Sequence, residues 1–305
     1  MNALARRTVL ACLVVVAALS AVPAHAQNFL WEVTSLTNRA WLFGTLHAGR
    51  PDWYPLPRAV EDAFASSDVL AVEADITNAA EMRRSGDAMV YTPPDALRLH
   101  VPVDDYARFL TLLPRYGIPE SQAGGMKPFM AVSLLVFGEW VRQGYQPAFG
   151  VDGYLIEEAK AKHKPLVELD GVDAQMRLMD SLTDRENTTI FHGTVEALAS
   201  GLTAEQIRGM VRAWEVGDPQ MMLDVSQHYD DRVKGAAEFE DKFVWSRHPG
   251  MLAKIEDFLD RSGKRYFIAV GSLHLVGPRG LVQQLRDHGY TVRQVFVAPR
   301  EEPRK

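Results

Sequence analysis

The chain is almost free of cysteine, because its 305 residues include a single one, Cys12, which lies near the N-terminus. Beyond that position there can be no disulfide bond, no thiolate nucleophile and no cysteine ligand for a metal. Any transition metal bound there must be held mainly by His, Asp and Glu side chains. This scarcity excludes thiol chemistry and leaves imidazoles and carboxylates as the candidate ligands.

Long hydrophobic runs are also scarce, apart from one at the N-terminus. Two arginines, Arg6 and Arg7, precede the apolar stretch Thr8–Val22, which is shorter than the roughly 20 residues of a membrane-spanning helix. An A-x-A cleavage signal ends at Ala26. We therefore predict a signal peptide over residues 1–26, a periplasmic or secreted mature protein and no stable membrane span. The arginine pair leaves both the general secretory and the twin-arginine export route open.

Basic charge is limited as well. The chain has 33 Lys and Arg against 39 Asp and Glu, and removing Arg6 and Arg7 with the signal peptide leaves 31 basic residues and a formal charge of −8. Nucleic-acid-binding proteins usually present a basic face, so no nucleic-acid partner is expected. The chain also lacks a G-x-S-x-G elbow, an H-E-x-x-H helix, a Walker loop and a G-x-G-x-x-G turn after a strand.

What the chain does contain is a set of apolar runs that are typical of strands near both ends and of helices between them. The predicted strands are Phe29–Ser35, Trp41–Leu46, Val69–Asp75, Pro165–Leu169, Arg265–Val270 and Thr291–Val297. The predicted helices are Leu56–Ser66, Pro128–Gln143, Val151–His163, several between Asp173 and Tyr229, Met251–Leu259 and Gly280–His288. We therefore predict an α/β or α+β fold, with a mixed sheet built from N- and C-terminal strands, a largely helical middle segment and one domain over residues 27–305.

The strongest chemical signal is a pair of G-x-x-H motifs, Gly44-Thr-Leu-His47 and Gly271-Ser-Leu-His274, each of which follows a predicted strand. A glycine allows the backbone to turn sharply, and the strand before it fixes the direction of the imidazole. A single histidine after a strand is more often structural. Two histidines in the same setting, from distant parts of the chain, predict a metal site whose ligands are brought together by folding.

A third candidate is Glu73, which interrupts the apolar run of a predicted strand near its end. A carboxylate there is costly unless it is paired, protonated or bound to a cation; a salt bridge would also explain it. Asp75 lies two residues on and is a possible supporting partner or alternative ligand. Glu168 and Asp170 repeat this arrangement after another strand, with a weaker claim.

Arg247 lies just before a predicted helix, where its guanidinium could bind a carboxylate or an oxyanion. Local sequence alone favours a solvated arginine at the start of a helix. The neighbouring His248 fits a surface position, and Asp152 fits an N-cap.

In its ordered motifs the chain resembles the TraB/GumN family, which is related to the Tiki metalloproteases. The resemblance covers nearly all of the predicted mature chain and depends on Leu42–His47, Ala71–Asp75, Gly150–Asp152, Lys164–Glu168, Arg247 with Met251, Ala269–Gly277 and Gly289-Tyr290. It implies a metal-dependent hydrolase.

Carried over residue by residue, the resemblance implies that His47, Glu73 and His274 form the active centre and that Arg247 matches the family's arginine. That arginine is commonly followed by asparagine, whereas this chain has His248. The related haem-binding ChaN-like proteins keep a similar scaffold for ligand capture.

Together, the residues and the resemblance lead to the hypothesis of a metal-dependent hydrolase, with peptidase activity as one form. His47 and His274 would bind a divalent cation (Mn, Co, Zn or Fe), Glu73 would be a ligand or general base, and Arg247 would stabilise developing negative charge. The expected partner is a peptide or another small substrate. The alternatives are a periplasmic metal- or haem-binding protein without turnover and an envelope-assembly protein with an inactive site.

Overall fold

The structure, a computed structural model, describes residues 26–260 and 263–297. The predicted signal peptide lies outside this range except for Ala26, where the first strand begins. Within the described ranges, no helix combines the length and the apolar character needed to cross a bilayer.

The fold is organised around one six-stranded mixed sheet, in the order β4-β3-β5-β2-β1-β6. Its strands are β1 (Ala26–Thr34), β2 (Arg39–Thr45), β3 (Val69–Val72), β4 (Leu166–Glu168), β5 (Tyr266–Gly271) and β6 (Thr291–Val297). The four strands β4, β3, β5 and β2 run parallel, whereas β1 is antiparallel to both β2 and β6. The predicted sheet of N- and C-terminal strands is therefore confirmed.

The centre of this sheet is buried on both faces. All four residues of β3 are buried, as are five of the six in β5. Continuous apolar runs of this kind are what a parallel strand covered on both sides requires. The turn of the β1–β2 hairpin is closed by the Ser35 hydroxyl, which accepts hydrogen bonds from the backbone N–H groups of Thr37 and Asn38.

Helices cover the sheet and make up most of the middle of the chain, as predicted. They are α1 (Arg58–Ser66), α2 (Ala79–Ala88), α3 (Val103–Leu112), α4 (Glu120–Ala123), α5 (Pro128–Arg142), α6 (Val151–Ala161), α7 (Val172–Asp180), α8 (Asp184–Ser200), α9 (Leu202–Val216), α10 (Pro219–Asp230), α11 (Ala236–Phe243), α12 (His248–Asp260) and α13 (Leu281–Asp287).

The helical middle has a core of its own. Phe109 of α3, Leu135 of α5 and Phe191 of α8 are fully buried and belong to a cluster separate from the core around the sheet. Helix α8 begins with a capping box, in which the side chains of Thr183 and Glu186 bind each other's backbone N–H groups. Helices α5 and α8 contribute residues to the walls of the cavity described below.

Candidate active site

Three neighbouring parallel strands end together at one edge of the sheet. Val72 of β3 pairs with Ala269 of β5, and Gly44 of β2 pairs with Val270. The residues that follow these strands therefore emerge at nearly the same level, with β5 in the middle. In open α/β sheets, the carboxyl ends of the strands are where ligands bind. This register brings the two G-x-x-H motifs and Glu73 together.

Close backbone packing holds the first motif in place. Trp214 donates its indole N–H to the Gly44 carbonyl at 2.7 Å, and the Ser272 hydroxyl, from the second motif, donates to the Thr45 carbonyl at 2.9 Å. A Cβ atom on Gly150 would lie 2.5 Å from the carbonyl oxygen of His47. Glycine is needed at position 150 because helix α6 begins against the loop that carries His47.

The His47 imidazole is oriented by Asp152. Its Nδ1 lies 2.8 Å from Asp152 Oδ2, and the hydroxyl of Thr45 donates to Asp152 Oδ1 at 2.5 Å. Because the carboxylate accepts from Nδ1–H, Nε2 faces away from it toward the cavity. The N-cap of α6 is Gly150, and Asp152 makes no capping bond, so the N-cap interpretation of Asp152 is wrong: the side chain supports His47 instead.

His47 is open to the cavity, with 60% of its side-chain surface exposed. Attraction to Asp152, opposed by burial, raises the pKa of His47 to about 9. In the absence of a cation the imidazole is therefore protonated at neutral pH, and a cation binding at Nε2 would displace that proton.

Glu73 follows directly after β3 and is enclosed by donors. Its Oε1 accepts the Gly271 N–H at 2.6 Å, and its Oε2 accepts from the Arg247 guanidinium. Burial alone would raise the pKa of Glu73, but the positive charges of Arg247 and His47 outweigh it and hold the pKa well below its usual range. Of these, Arg247 carries a permanent charge, so we assign it the main role. Glu73 is thus an ionised, oriented carboxylate.

His274 lies in the short 3-10 turn after β5, with 5% of its side chain exposed. Its Nε2 is 3.1 Å from Arg247 Nη1 and 3.6 Å from Glu73 Oε1, and its Nδ1 is 2.9 Å from Nε2 of His248. Burial lowers the pKa of His274 to about 3 and that of His248 to about 4. Both imidazoles are therefore neutral. The surface interpretation of His248 is wrong, since only 2% of the residue is exposed.

Arg247 is bound on every side. Its Nε and Nη2 groups donate to Asp170, Nη2 also donates to Glu73, and Nη1 faces the Phe243 carbonyl and His274. All five N–H groups of the guanidinium are thereby used. Arg247 is a buried ionic clamp between two carboxylates, which also gives Asp170 a place in the site. Burial raises the pKa of Asp170 despite this arginine.

The donor groups converge on Gly271. A Cβ atom at this position would lie 3.3 Å from Glu73 Oε1, 3.6 Å from His47 Nε2 and 3.6 Å from His274 Cδ2. Two imidazoles and a carboxylate form a donor set that suits Zn, Mn, Co or Fe, and the absent Cβ leaves space between them. The chemistry of these side chains suits a divalent cation, but in the described ranges no three His, Asp or Glu side chains stand at ligand spacing. The Arg247 guanidinium occupies part of that space.

A cavity of about 490 Å³ opens above these residues, within the size range of pockets for small ligands. Its floor includes His47, Glu73, Arg247 and His274. Its walls are mostly apolar and come from the helical middle, including Phe129, Val132, Val136, Phe137, Met179, Ile207, Met210, Phe239 and Phe243.

Two of the weaker candidates lie outside this cluster. Strand β3 ends at Val72, so the alternation that would place Asp75 beside Glu73 does not continue; the Asp75 carboxylate instead binds Thr77 and Lys160. Glu168 accepts the Asp75 backbone N–H at 2.6 Å.

Sequence reasoning missed the roles of Asp152 and His248. The Gly150-Val-Asp152 motif was a usable signal for the first, but His248 had none.

The cavity also contains a second acidic pair, Asp230 with Glu240, away from the strand ends. Burial, reinforced by Glu240, raises the pKa of Asp230 to about 7. An acid whose pKa is higher in the folded state opposes folding once it ionises. We therefore expect the stability of the protein to fall as the pH rises from about 4 to about 7, and the Asp230→Asn variant to lose that part of the dependence.

The expected gain of this variant at pH 8 is about 1–2 kcal/mol, reduced by the water that reaches the half-buried carboxylate. Thermal unfolding at pH 5 and pH 8 measures it. Asp224→Asn, on the exposed side of the same helix α10, is the control. Parallel pH curves for the wild type and Asp230→Asn would contradict the prediction.

The chain is similar to several known proteins along most of its length. The chain is 23% identical to the uncharacterized protein YbaP of Escherichia coli (strain K12) over 274 residues, which cover 86% of this chain and 95% of YbaP. It is 21% identical to a metalloprotease TIKI homolog of Nematostella vectensis, over 90% of this chain and 68% of the homolog. No solved structure matches it significantly. Residues 29–294 match the TraB/PrgY/gumN family along nearly the whole described chain, and the protein therefore belongs to that family.

Proposed function

We propose that this protein is a metal-dependent hydrolase of the cell envelope, in which His47, Glu73 and His274 hold one divalent cation. The observation that carries the proposal is the convergence of these three side chains on Gly271 at the floor of a cavity. The distant similarity to a metalloprotease TIKI homolog supports hydrolysis, and peptide hydrolysis in particular. The signal peptide predicted over residues 1–26 supports a location in the periplasm or outside the cell.

When bound, such a cation would polarise a substrate carbonyl and lower the pKa of a water molecule. The protein groups around it have separable roles. Asp152 holds the His47 ring in one orientation, and Arg247 with the Gly271 N–H holds Glu73 ionised and fixed. An ionised, fixed carboxylate at this position would serve as an anionic ligand of the cation, whereas a pKa held well below its usual range makes it a weak general base.

The apolar walls of the cavity indicate which kind of substrate the site would prefer. Phe129, Val136 and Phe243 present apolar surface above the polar floor, so an apolar group of the substrate would be buried there while the scissile bond reaches the histidines. Burial of that group would also exclude water from the floor, where electrostatic interactions then act more strongly. A substrate with apolar side chains next to the cleaved bond fits this geometry.

Metal analysis tests the proposal directly. We expect the purified mature protein, offered Mn²⁺, Co²⁺, Zn²⁺ or Fe²⁺ and then desalted, to retain close to one equivalent of one of these ions. The double variant His47→Ala/His274→Ala should retain almost none, because it loses both imidazole ligands. The control is the double variant His192→Ala/His288→Ala, in which two half-exposed histidines paired with carboxylates are removed. Equal metal content in the wild type and the His47/His274 variant would overturn the proposal.

One observation favours a second candidate, a binding protein without turnover. All five N–H groups of Arg247 are engaged within the protein, so none is directed at a developing oxyanion. Metal retained without cleavage of any member of a peptide library would favour this candidate. A Soret band after haem addition, lost in the His47/His274 variant, would favour a haem-binding form of it.

A further inference from the structure

We propose that His248 is a positioning residue, which holds His274 in the tautomer that carries its proton on Nδ1 and thereby keeps Nε2 unprotonated, so that its lone pair, which here accepts from Arg247 Nη1, is available to a cation that displaces this contact. This inference rests on the proposed role of His274 as a metal ligand. It assigns a function to a buried side chain that neither reaches the cavity nor lies among the groups that converge on Gly271.

The evidence is a chain of hydrogen bonds that leads away from the site. His274 Nδ1 lies 2.9 Å from His248 Nε2, and His248 Nδ1 lies 2.8 Å from the backbone carbonyl oxygen of Arg279. A carbonyl oxygen can only accept, so His248 must carry its proton on Nδ1. Its Nε2 is then an acceptor, and His274 must donate from Nδ1.

The other end of this series of hydrogen bonds, at His274 Nε2, requires the same assignment of protons. His274 Nε2 lies 3.1 Å from Arg247 Nη1, and a guanidinium can only donate. A proton on His274 Nε2 would therefore oppose the donor of Arg247. Tautomers are inferred from hydrogen-bond partners at both ring nitrogens, and here an obligate donor at one end and an obligate acceptor at the other leave one consistent pattern.

The surroundings of His248 keep this pattern rigid. The ring meets Trp245 edge to face, with centroids 5.2 Å apart, and the Gln284 amide donates to the same Arg279 carbonyl at 2.6 Å. That amide nitrogen also lies 3.0 Å from His248 Nδ1. A hydrogen bond there would need the other tautomer of His248, which would leave the Arg279 carbonyl without its imidazole donor and turn His274 Nε2–H toward the Arg247 donor. The chain of bonds ends at a backbone carbonyl, which cannot pass a proton on. His248 is therefore suited to orienting His274 and not to relaying protons.

This arrangement matches what metal-binding histidines require. Such a histidine normally donates its second ring N–H to a fixed acceptor, and loss of that acceptor typically lowers metal affinity by about 10- to 100-fold. His47 has Asp152 as its acceptor. His248 supplies the equivalent for His274, with a neutral acceptor in place of a carboxylate.

The test compares two replacements of His248 that differ in their ability to accept a hydrogen bond. Asparagine can place an amide oxygen near His274 Nδ1, whereas leucine has similar bulk and no acceptor. Zn²⁺ affinity is measured by calorimetry on the purified mature protein. The tautomer of His274 is read from the nitrogen-15 shifts of its ring in the metal-free protein, with thermal unfolding to show that each variant is folded.

We expect His248→Leu to bind Zn²⁺ about 10- to 100-fold more weakly and to show His274 as a mixture of tautomers. His248→Asn should stay within about threefold of the wild type and keep the Nδ1–H form. His288→Asn, at a half-exposed histidine paired with Glu256, is the control and should change neither reading. Wild-type affinity and a pure Nδ1–H tautomer in a folded His248→Leu would overturn the inference.

The two measurements, the Zn²⁺ affinity and the tautomer of His274, distinguish a failure of this inference from a failure of the proposed function. If the wild type binds no divalent cation, the proposed function fails, yet the ring shifts of metal-free His274 still decide whether His248 sets its tautomer. If the wild type binds Zn²⁺ and His248→Leu matches it in both readings, the proposed function stands and the role of His248 is refuted.

Discussion

The Arg247→Met variant is expected to lose about 3–5 kcal/mol of the free energy of unfolding, the usual cost of removing one partner from a buried ionic cluster. Arg247 exposes 13% of its side chain, and its carboxylate partners Glu73 and Asp170 expose 11% and 12%. Without the guanidinium, two buried carboxylates would face each other without compensation. One of them must then take up a proton, first Asp170, whose pKa burial already raises beside the arginine, and the pKa of Glu73 also rises from its low value.

Urea unfolding of the metal-free protein at pH 7 measures this loss. Arg58→Met is the matched control, because Arg58 forms an ion pair with Asp62 on the surface, with 90% of its side chain exposed; it should cost at most about 0.5 kcal/mol. Adding Glu73→Gln to Arg247→Met should recover part of the stability by removing one of the two charges. A loss of less than about 1 kcal/mol in Arg247→Met would contradict the buried ionic clamp.

The Gly271→Ala variant is expected to lose at least about 100-fold in metal affinity, beyond the usual cost of a mutated supporting residue. The added methyl would stand 3.3 Å from Glu73 Oε1 and 3.6 Å from His47 Nε2, in the space on which the donors converge. The backbone itself accepts alanine, because Gly271 has φ −51° and ψ 137°, an extended conformation open to any residue. The expected effect is therefore on binding and not on folding.

Calorimetric titration with Zn²⁺ and thermal unfolding of the same samples separate the two effects. Gly86→Ala provides the control, since a Cβ atom there meets nothing within 4 Å, and it should leave metal affinity unchanged. The idea that a cation lies between His47, Glu73 and His274 would be refuted if Gly271→Ala bound the ion as tightly as the wild type.

Most of the secondary structure could be predicted from local patterns. The buried strands β3 and β5 are continuous apolar runs, and their hydrophobic residues leave little choice of element. Where local rules competed, the sequence was less informative. Asp152 has the composition of an N-cap, yet Gly150 takes that position and the carboxylate turns to His47, because a charged acceptor beside an imidazole gains more than a surface cap.

The sequence by itself determined which chemistry is available: without cysteine beyond position 12, the ligands must be His, Asp and Glu, and two G-x-x-H motifs with Glu73 mark where they lie. The tertiary structure alone decided how these groups meet. The parallel register of β3, β5 and β2 sets Glu73, His274 and His47 around Gly271.

The fold also buried His248 against His274 and enclosed Arg247 between two carboxylates that are distant in sequence. These contacts join residues separated by 26 positions for His248 and His274, 77 for Asp170 and Arg247, and 174 for Glu73 and Arg247. No local pattern can encode these contacts, because the same short motif could equally occur in a segment exposed to solvent.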